Sequence, residues 1–393
     1  MISIQEAIDI SLQKTEVSQK TEISKLADAL GHKLAENIYS KMDMPPFPQS
    51  AMDGYALKIH DKNVYTIIAE QKAGDGNDFK LEAGEAIRIF TGAMLPKSAD
   101  SIVIQEKAIR KADLLYLESK AKLGSNIRPQ AEQIKKGELA LEKNFMLNPA
   151  SIGYIASLGI SEVKVWAKPK VGIISTGNEL VSPGNKLKPG QIYESNQLML
   201  TSALREKGIH NVISYKVKDN LKATEILIEK ALEECDYLLI SGGISVGDYD
   251  FVAKALHTNK VDCHFYKVAQ KPGKPIWFGS KNGKLVFALP GNPAAALSCF
   301  YVYVLPSIKK WQGLNDYKIK WEKSILKEAY FKKGIRPQFL KAKTNDKEIE
   351  ILDGQNSSML ASFSMANALC FLDGKEEYWV EKGSAVNYLK INE

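Results

Sequence analysis

The stretch SGGISVGDYD, Ser241 to Asp250, follows the apolar run Tyr237-Leu238-Leu239-Ile240 and ends in two carboxylates, Asp248 and Asp250. Glycine lacks the side chain that keeps a backbone away from an anion, so the N–H groups of Gly242, Gly243 and Gly247 could cradle phosphate oxygens. A carboxylate beside a phosphate repels it. A divalent metal such as Mg²⁺ between the two converts that repulsion into attraction. Helix capping by Asp248 or Asp250 accounts for the same acids without a ligand, because acids favour a helix N-terminus.

Three further stretches carry chemistry of a matching kind. STGNEL, from Ser175, has the single Gly177 where a dinucleotide-binding fold places GxGxxG, so a dehydrogenase reading loses its main support. Its Glu179 could take a metal or a substrate hydroxyl, or could simply open the polar surface of a βα loop. In ALPGNPAAALSCF, Pro290 precedes Asn292 at a helix cap and Pro293 at the first helical position, which leaves N–H groups pointing outward. In FYKVAQKPGKP, Lys267 and Lys271 stand four apart and Lys274 follows Pro-Gly; they are either a solvated surface or the point charges that an oxyanion needs.

The elements that must position these residues alternate from Lys170 to Gly313. Short apolar strands at 171 to 175, 212 to 217, 237 to 241 and 285 to 289 are separated by amphipathic stretches near 195 to 207, 222 to 234 and 249 to 258. That alternation predicts a doubly wound parallel sheet, in which ligands sit beyond the carboxyl ends of the strands. The loops after Ser175, Ser241 and Leu289 should then face one cleft, so that Glu179, Asp250, the lysines and the helix start at Asn292 meet.

The flanks read differently. Residues 44–136 hold short β-like runs such as VYTIIAE and DSIVIQE, punctuated by Gly, Pro and Asp, and predict a small inserted β domain. Residues 1–43 and 137–168 read as helical and would form one discontinuous linking domain around it. The central α/β domain covers 169–315. Short strands with turns over 316–393 predict a C-terminal β domain.

Composition narrows the partners. With 393 residues, 45% hydrophobic and 25% charged, the chain is an ordinary globular one of several domains. Its net charge of +7 comes from 53 basic and 46 acidic residues without arginine-rich runs, which suits a small anionic substrate and argues against nucleic acid. Four scattered cysteines with no CxxC pair predict reduced, mostly buried thiols in a cytoplasmic protein. The start MISIQEAIDISLQK reads as an amphipathic helix rather than a signal peptide, and the most apolar run, 294 to 308, is shorter than the roughly 20 residues of a membrane span.

Together PPFPQSAMDGYAL, RIFTGAMLPKSADSIVIQE, STGNELV, SGGISVGDYDF, KPGKPIWFG and ALPGNPAAA resemble molybdopterin molybdenumtransferases, a bacterial family related to the C-terminal part of gephyrin, in the same motif order over about residues 2 to 390. The resemblance implies a four-domain homodimer that inserts molybdate into adenylylated molybdopterin with Mg²⁺ present, releasing AMP and the molybdenum cofactor. Carried over by position, functional residues are Asp53, Thr91, Glu179, Asp219, Asp250, Lys267 and Lys271. Binding positions are Gly242, Gly243, Gly247, Lys274, Pro290, Asn292, Pro293, Arg336 and Ser357, and Glu179 and Asp250 are the implied metal ligands. Gln133 departs from the family, where an acid is frequent. Contacts with the adenylyltransferase that makes the substrate and with recipient molybdoenzymes are further implications. Two alternatives are the adenylyltransferase itself, which resembles the central domain alone, and a gephyrin-like scaffold. The residues before that domain argue against the first, and retention of Asp53, Glu179, Asp250 and the lysines argues against a pure scaffold.

Overall fold

A computed structural model describes residues 1–244, 251–345, 347–374 and 376–391. The chain divides into two units, Thr21–Trp166 and a second made of Met1–Lys20 with Ala167–Glu393.

The second unit is built on a six-stranded sheet. Its strands run in the order Val212–Val217, Val171–Thr176, Tyr237–Ser241, Lys284–Leu289, Trp277–Lys281, Asp262–Tyr266. The reason for their apolar sequences is visible in the packing, since side chains of a strand alternate between faces. Tyr237, Leu239, Leu285 and Phe287 join one core with Leu200, Leu204 and Phe300 from the helices on that side. Leu238, Ile240, Val286 and Ala288 join another with Ile228, Leu232 and Leu256. A sheet covered on both faces needs both registers apolar. Removing Leu239 or Ile240, each fully buried, costs about 2–5 kcal/mol by the usual cavity penalty.

The first four strands pair parallel, as expected. The sheet is nevertheless mixed, because Trp277–Lys281 and Asp262–Tyr266 continue it antiparallel. The two-residue turn Asn282-Gly283, both at positive φ, joins Trp277–Lys281 to the next strand. Asn-Gly suits such hairpins because both residues tolerate left-handed backbone. The cysteines follow the expected pattern except Cys263, which is exposed on the edge strand.

The C-terminal part of this unit is a closed barrel of Glu322–Leu326, Glu348–Ile351, Gln338–Thr344, Ala368–Leu372 and Ala385–Lys390, filled by Leu340, Ile349, Cys370, Val386 and Tyr388. The amino-terminal helix Ile4–Gln13 also belongs here. It starts on a capping box of Ser3 and Glu6 and buries Ile4, Ala7 and Ile8 in the sheet's first core.

Within Thr21–Trp166, a six-stranded sheet runs Ser101–Ile104, Gly54–Leu57, Glu85–Ile89, Val64–Gln71, Leu114–Leu117, Ala108–Lys111. The helical reading of 1–43 and 137–168 is corrected. Beyond residue 20 these segments contribute one α-helix, Pro149–Ser157, and are otherwise strand pairs and loops. Thr21–Lys25 pairs with Glu162–Trp166, and Ile38–Tyr39 with Leu139–Leu141. The alternation Glu162-Val163-Lys164-Val165 is the period-two signal of a strand with one buried face, and Val163 and Val165 are buried. Among the described residues no helix is long and apolar enough to cross a membrane.

Candidate active site

Beyond the carboxyl ends of the parallel strands lies a cleft of about 840 Å³. Its floor is laid by strand ends. Ser175 and Ser241 are register partners on neighbouring strands, and the chain leaves the second strand through Gly242 at φ +91 and Gly243 at φ +62. A Cβ on Gly242 would meet the Thr176 carbonyl oxygen at 2.6 Å, and one on Gly243 would meet Val252 Cγ2 at 2.7 Å. Glycine is therefore required twice, for backbone hand and for space.

The loop after Thr176 is fixed by Asp219. Thr176 Oγ1 donates to its Oδ1 at 2.7 Å and the Asn178 N–H to its Oδ2 at 3.3 Å. Asp219 itself does not line the cleft; it holds the loop that carries Glu179. Glu179 is exposed and lines the cleft; its carbonyl accepts from the Ile192 N–H at 2.9 Å, while its carboxylate has no hydrogen-bond or ion-pair partner among the described residues. Opposite strand ends contribute Lys271 and Lys274, both exposed and likewise without a described ion-pair partner.

The barrel supplies another wall. Arg336 enters the cleft while its Nη1 donates to the Gln270 carbonyl at 2.9 Å. Gln270 is fully buried, with its amide donating to the Gly273 carbonyl at 3.2 Å and its Oε1 accepting from Tyr303. The turn bearing Lys271 and Lys274 is thereby tied to the residue bearing the guanidinium. Asn292 stands at its helix start, with Pro293 following. Its side chain makes no capping bond and instead donates to Ser357 Oγ at 2.8 Å, joining the α/β helix to the barrel. Pro290 lies beside it in the lining.

Of the residues singled out from sequence, Glu179, Gly242, Lys271, Lys274, Pro290, Asn292, Pro293, Arg336 and Ser357 come together here. Gly243 supports the floor without lining it. Lys267 departs from the group. It is half-buried at φ +69, with its ammonium 4.7 Å from the Tyr266 ring centre, and it does not line the cleft. Positive φ at the end of an edge strand turns this side chain onto its neighbour's ring. Gly247 and Asp250 lie outside the described residues. Asp53 and Thr91 belong to the Thr21–Trp166 unit, where Asp53 Oδ1 accepts from both the Thr91 N–H and its Oγ1, each at 2.7 Å. The Thr91 hydroxyl, then its N–H, hold this exposed carboxyl below the usual aspartate value.

Sequence reasoning missed Asn196, Ser175 and the neighbours of Ser357, namely Gln355, Asn356 and Ser358. Asn196 Nδ2, assigned from its bonds, donates to Ser241 Oγ and to the Gly291 carbonyl, both at 2.7 Å. Its Oδ1 and the Ser175 hydroxyl are buried without a partner among the described residues, so the cleft floor offers polar groups for a ligand to satisfy. The helix expected near 195 was the only local hint of Asn196.

Chemically, three cations and one free carboxylate around hydroxyls and side-chain amides suit a polyanionic substrate. Glu179 also fits Mg²⁺, which is held by one or two carboxylates with substrate oxygens completing the shell. No group of three or more His, Cys, Asp or Glu side chains clusters as a ready-made metal cage among the described residues.

Comparison with known proteins agrees along the chain. Residues 2–159 match "MoeA N-terminal region (domain I and II)", 172–310 match "Probable molybdopterin binding domain" and 323–391 match "MoeA C-terminal region (domain IV)". A molybdopterin molybdenumtransferase of Haemophilus influenzae is 34% identical over 100% of this chain and 99% of its own length. The chain belongs to the molybdopterin molybdenumtransferase family. A second molybdenumtransferase, from Nostoc sp., is 36% identical over 85% of this chain and 75% of its own. A crystal structure of a molybdopterin biosynthesis MoeA protein from Pyrococcus horikosii superposes with a TM-score of 0.79 at 32% identity, covering 100% of both chains. In this molybdenumtransferase chain the strand ends of the cleft fall in the second matched region, and Arg336 and Ser357 fall in the third.

Proposed function

We propose that the protein is a molybdopterin molybdenumtransferase of molybdenum cofactor biosynthesis, taking adenylylated molybdopterin and molybdate and releasing AMP and the molybdenum cofactor. The observation that carries this reading is the convergence of Glu179 with Lys271, Lys274 and Arg336 in one cleft beyond the parallel strands. The phosphoanhydride lies over Gly242, and the lysines and Arg336 bind molybdate and offset charge on the departing phosphate. Water adds to the adenylyl phosphorus and gives up a proton to solvent, the bond to the phosphoanhydride oxygen breaks to leave AMP, and that electron pair leaves with the molybdopterin phosphate. Asp219 keeps Glu179 in place through Thr176 and Asn178. Glu179 and Asp250 would hold Mg²⁺, which would supply Lewis-acid polarisation of phosphate oxygens. No covalent enzyme intermediate is needed.

Asp53 and Thr91 serve the same reaction, with the carboxyl accepting two bonds from Thr91 that hold it below the usual aspartate value. The protein works in the cytoplasm as a homodimer, receives its substrate from the adenylyltransferase and passes its product to molybdoenzymes, without nucleic acid or membrane. Participation of Arg336 and Ser357 from the barrel favours this reading over an adenylyltransferase built from the central domain alone. Purified protein given adenylylated molybdopterin, molybdate and Mg²⁺ should release AMP and reconstitute a molybdenum-free apoenzyme. AMP release without reconstitution, or neither, refutes it.

A further inference from the structure

Lys341 sits in the barrel strand Gln338–Thr344 and is only 4% exposed. Its ammonium donates to the carbonyl oxygens of Gly354 at 2.5 Å, Met359 at 3.1 Å and Asn356 at 3.2 Å. The Lys341 backbone grips the same segment: its N–H donates to Gln355 Oε1 at 3.0 Å, and its carbonyl accepts from Gln355 Nε2 at 2.9 Å. Gln355 to Ser358 form one wall of the cleft. From the other side, Asn292 Nδ2 reaches Ser357 Oγ, and the Ala295 N–H donates to the Ser357 carbonyl at 3.2 Å.

An ammonium has three donors, and here each finds a carbonyl. Oxygens that would repel an oxyanion are thus engaged beneath the wall. No described carboxylate neutralises the charge, and burial alone pushes the Lys341 ammonium below the usual lysine value. A buried charge is costly to keep unless neighbouring dipoles or a ligand offset it. An anion in the cleft above would do so.

We propose that Lys341 is a positioning residue for oxyanion binding: it fixes Gln355–Ser358 in the form that presents Ser357 to the cleft, and it adds a positive charge under that wall. The proposal rests on reading the cleft as an oxyanion site.

The test is calorimetric titration of the full-length protein with sodium molybdate alone, beside thermal unfolding of each variant. Lys341→Met should raise the molybdate Kd about tenfold, the scale of a charge-assisted contact. Lys341→Arg should restore most of the affinity. Ser357→Ala combined with Lys341→Met should bind within about threefold of the weaker single variant, because residues acting as one unit do not add. In turnover, Lys341→Met should raise KM for molybdate more than it lowers kcat. Wild-type affinity in folded Lys341→Met, or fully multiplicative losses in the double variant, overturns the proposal. If Lys341→Met does not fold, Lys341→Gln takes its place; failure of both neutral variants to fold while Lys341→Arg folds marks a purely structural lysine and also overturns it. Wild-type protein that binds no molybdate overturns the oxyanion reading first, and this proposal with it.

Discussion

Gly242→Ala probes the cleft floor where its geometry is tightest. At φ +91 an alanine takes a backbone conformation that costs about 1–2 kcal/mol. Its Cβ would stand 2.6 Å from the Thr176 carbonyl oxygen, under the 3.0 Å that real Cβ contacts essentially never pass. That oxygen is backbone, and Thr176 is held by its pairing with Val217 and its hydroxyl's bond to Asp219, so it cannot swing away as a side-chain tip could. Overpacking of this kind adds about 1–3 kcal/mol. The total is about 2–5 kcal/mol, at least about a thirtyfold loss in the folding equilibrium. If the loop shifts instead, less stability is lost, but the floor under the phosphoanhydride moves, and a misplacement of about 1 Å costs about a hundredfold in rate. Urea unfolding and AMP-release kinetics separate the two routes. Gly291→Ala is the control, since it lines the same cleft and its nearest Cβ contact is an ordinary 3.6 Å. It should stay within about 0.5 kcal/mol of wild type. A Gly242→Ala protein with both its urea midpoint and its kcat/KM unchanged would show that the floor tolerates a Cβ and that glycine is not needed there.

Glu179→Gln should leave the fold intact and raise the Mg²⁺ concentration for half-maximal AMP release severalfold, because the amide no longer offsets a cation; an unchanged Mg²⁺ dependence would remove Glu179 from the metal site. Lys271→Met should raise the molybdate KM by about tenfold or more, whereas Lys267→Met, whose ammonium rests on the Tyr266 ring, should change it by less than about threefold; equal effects would count against the geometry. Asp53 should titrate below an ordinary aspartate in a carboxyl NMR titration, and Thr91→Val should move its midpoint upward while the backbone N–H retains part of the shift. Because the folded pKa is depressed, the stability from this contact is present above the ordinary aspartate pKa and is lost as pH falls through the lowered one; a midpoint at the ordinary value would show that the bonds are absent in solution.

The α/β framework and the edge on which chemistry gathers are legible in the residues alone. Apolar runs such as VGIIS and YLLIS, five residues long and closed by turn residues, read as buried strands, and Gly242, Gly243 and Asn292-Pro293 mark where the chain turns or starts a helix. Those signals are local, since backbone hand, capping and two-face burial act within a few residues. The motif order also carried the family. Tertiary structure alone decided which side chains share the cleft. Lys267, Lys271 and Lys274 read alike in sequence, yet positive φ at Lys267 lays it on Tyr266 while the other two line the cleft. Pairing of Thr21–Lys25 with Glu162–Trp166 turned an expected helical segment into strands, because a partner far along the chain supplied the hydrogen bonds. Nothing in LKAKT shows a buried ammonium gripping Gly354, Asn356 and Met359. That contact exists only once the barrel closes, when burial leaves the lysine those carbonyls as partners.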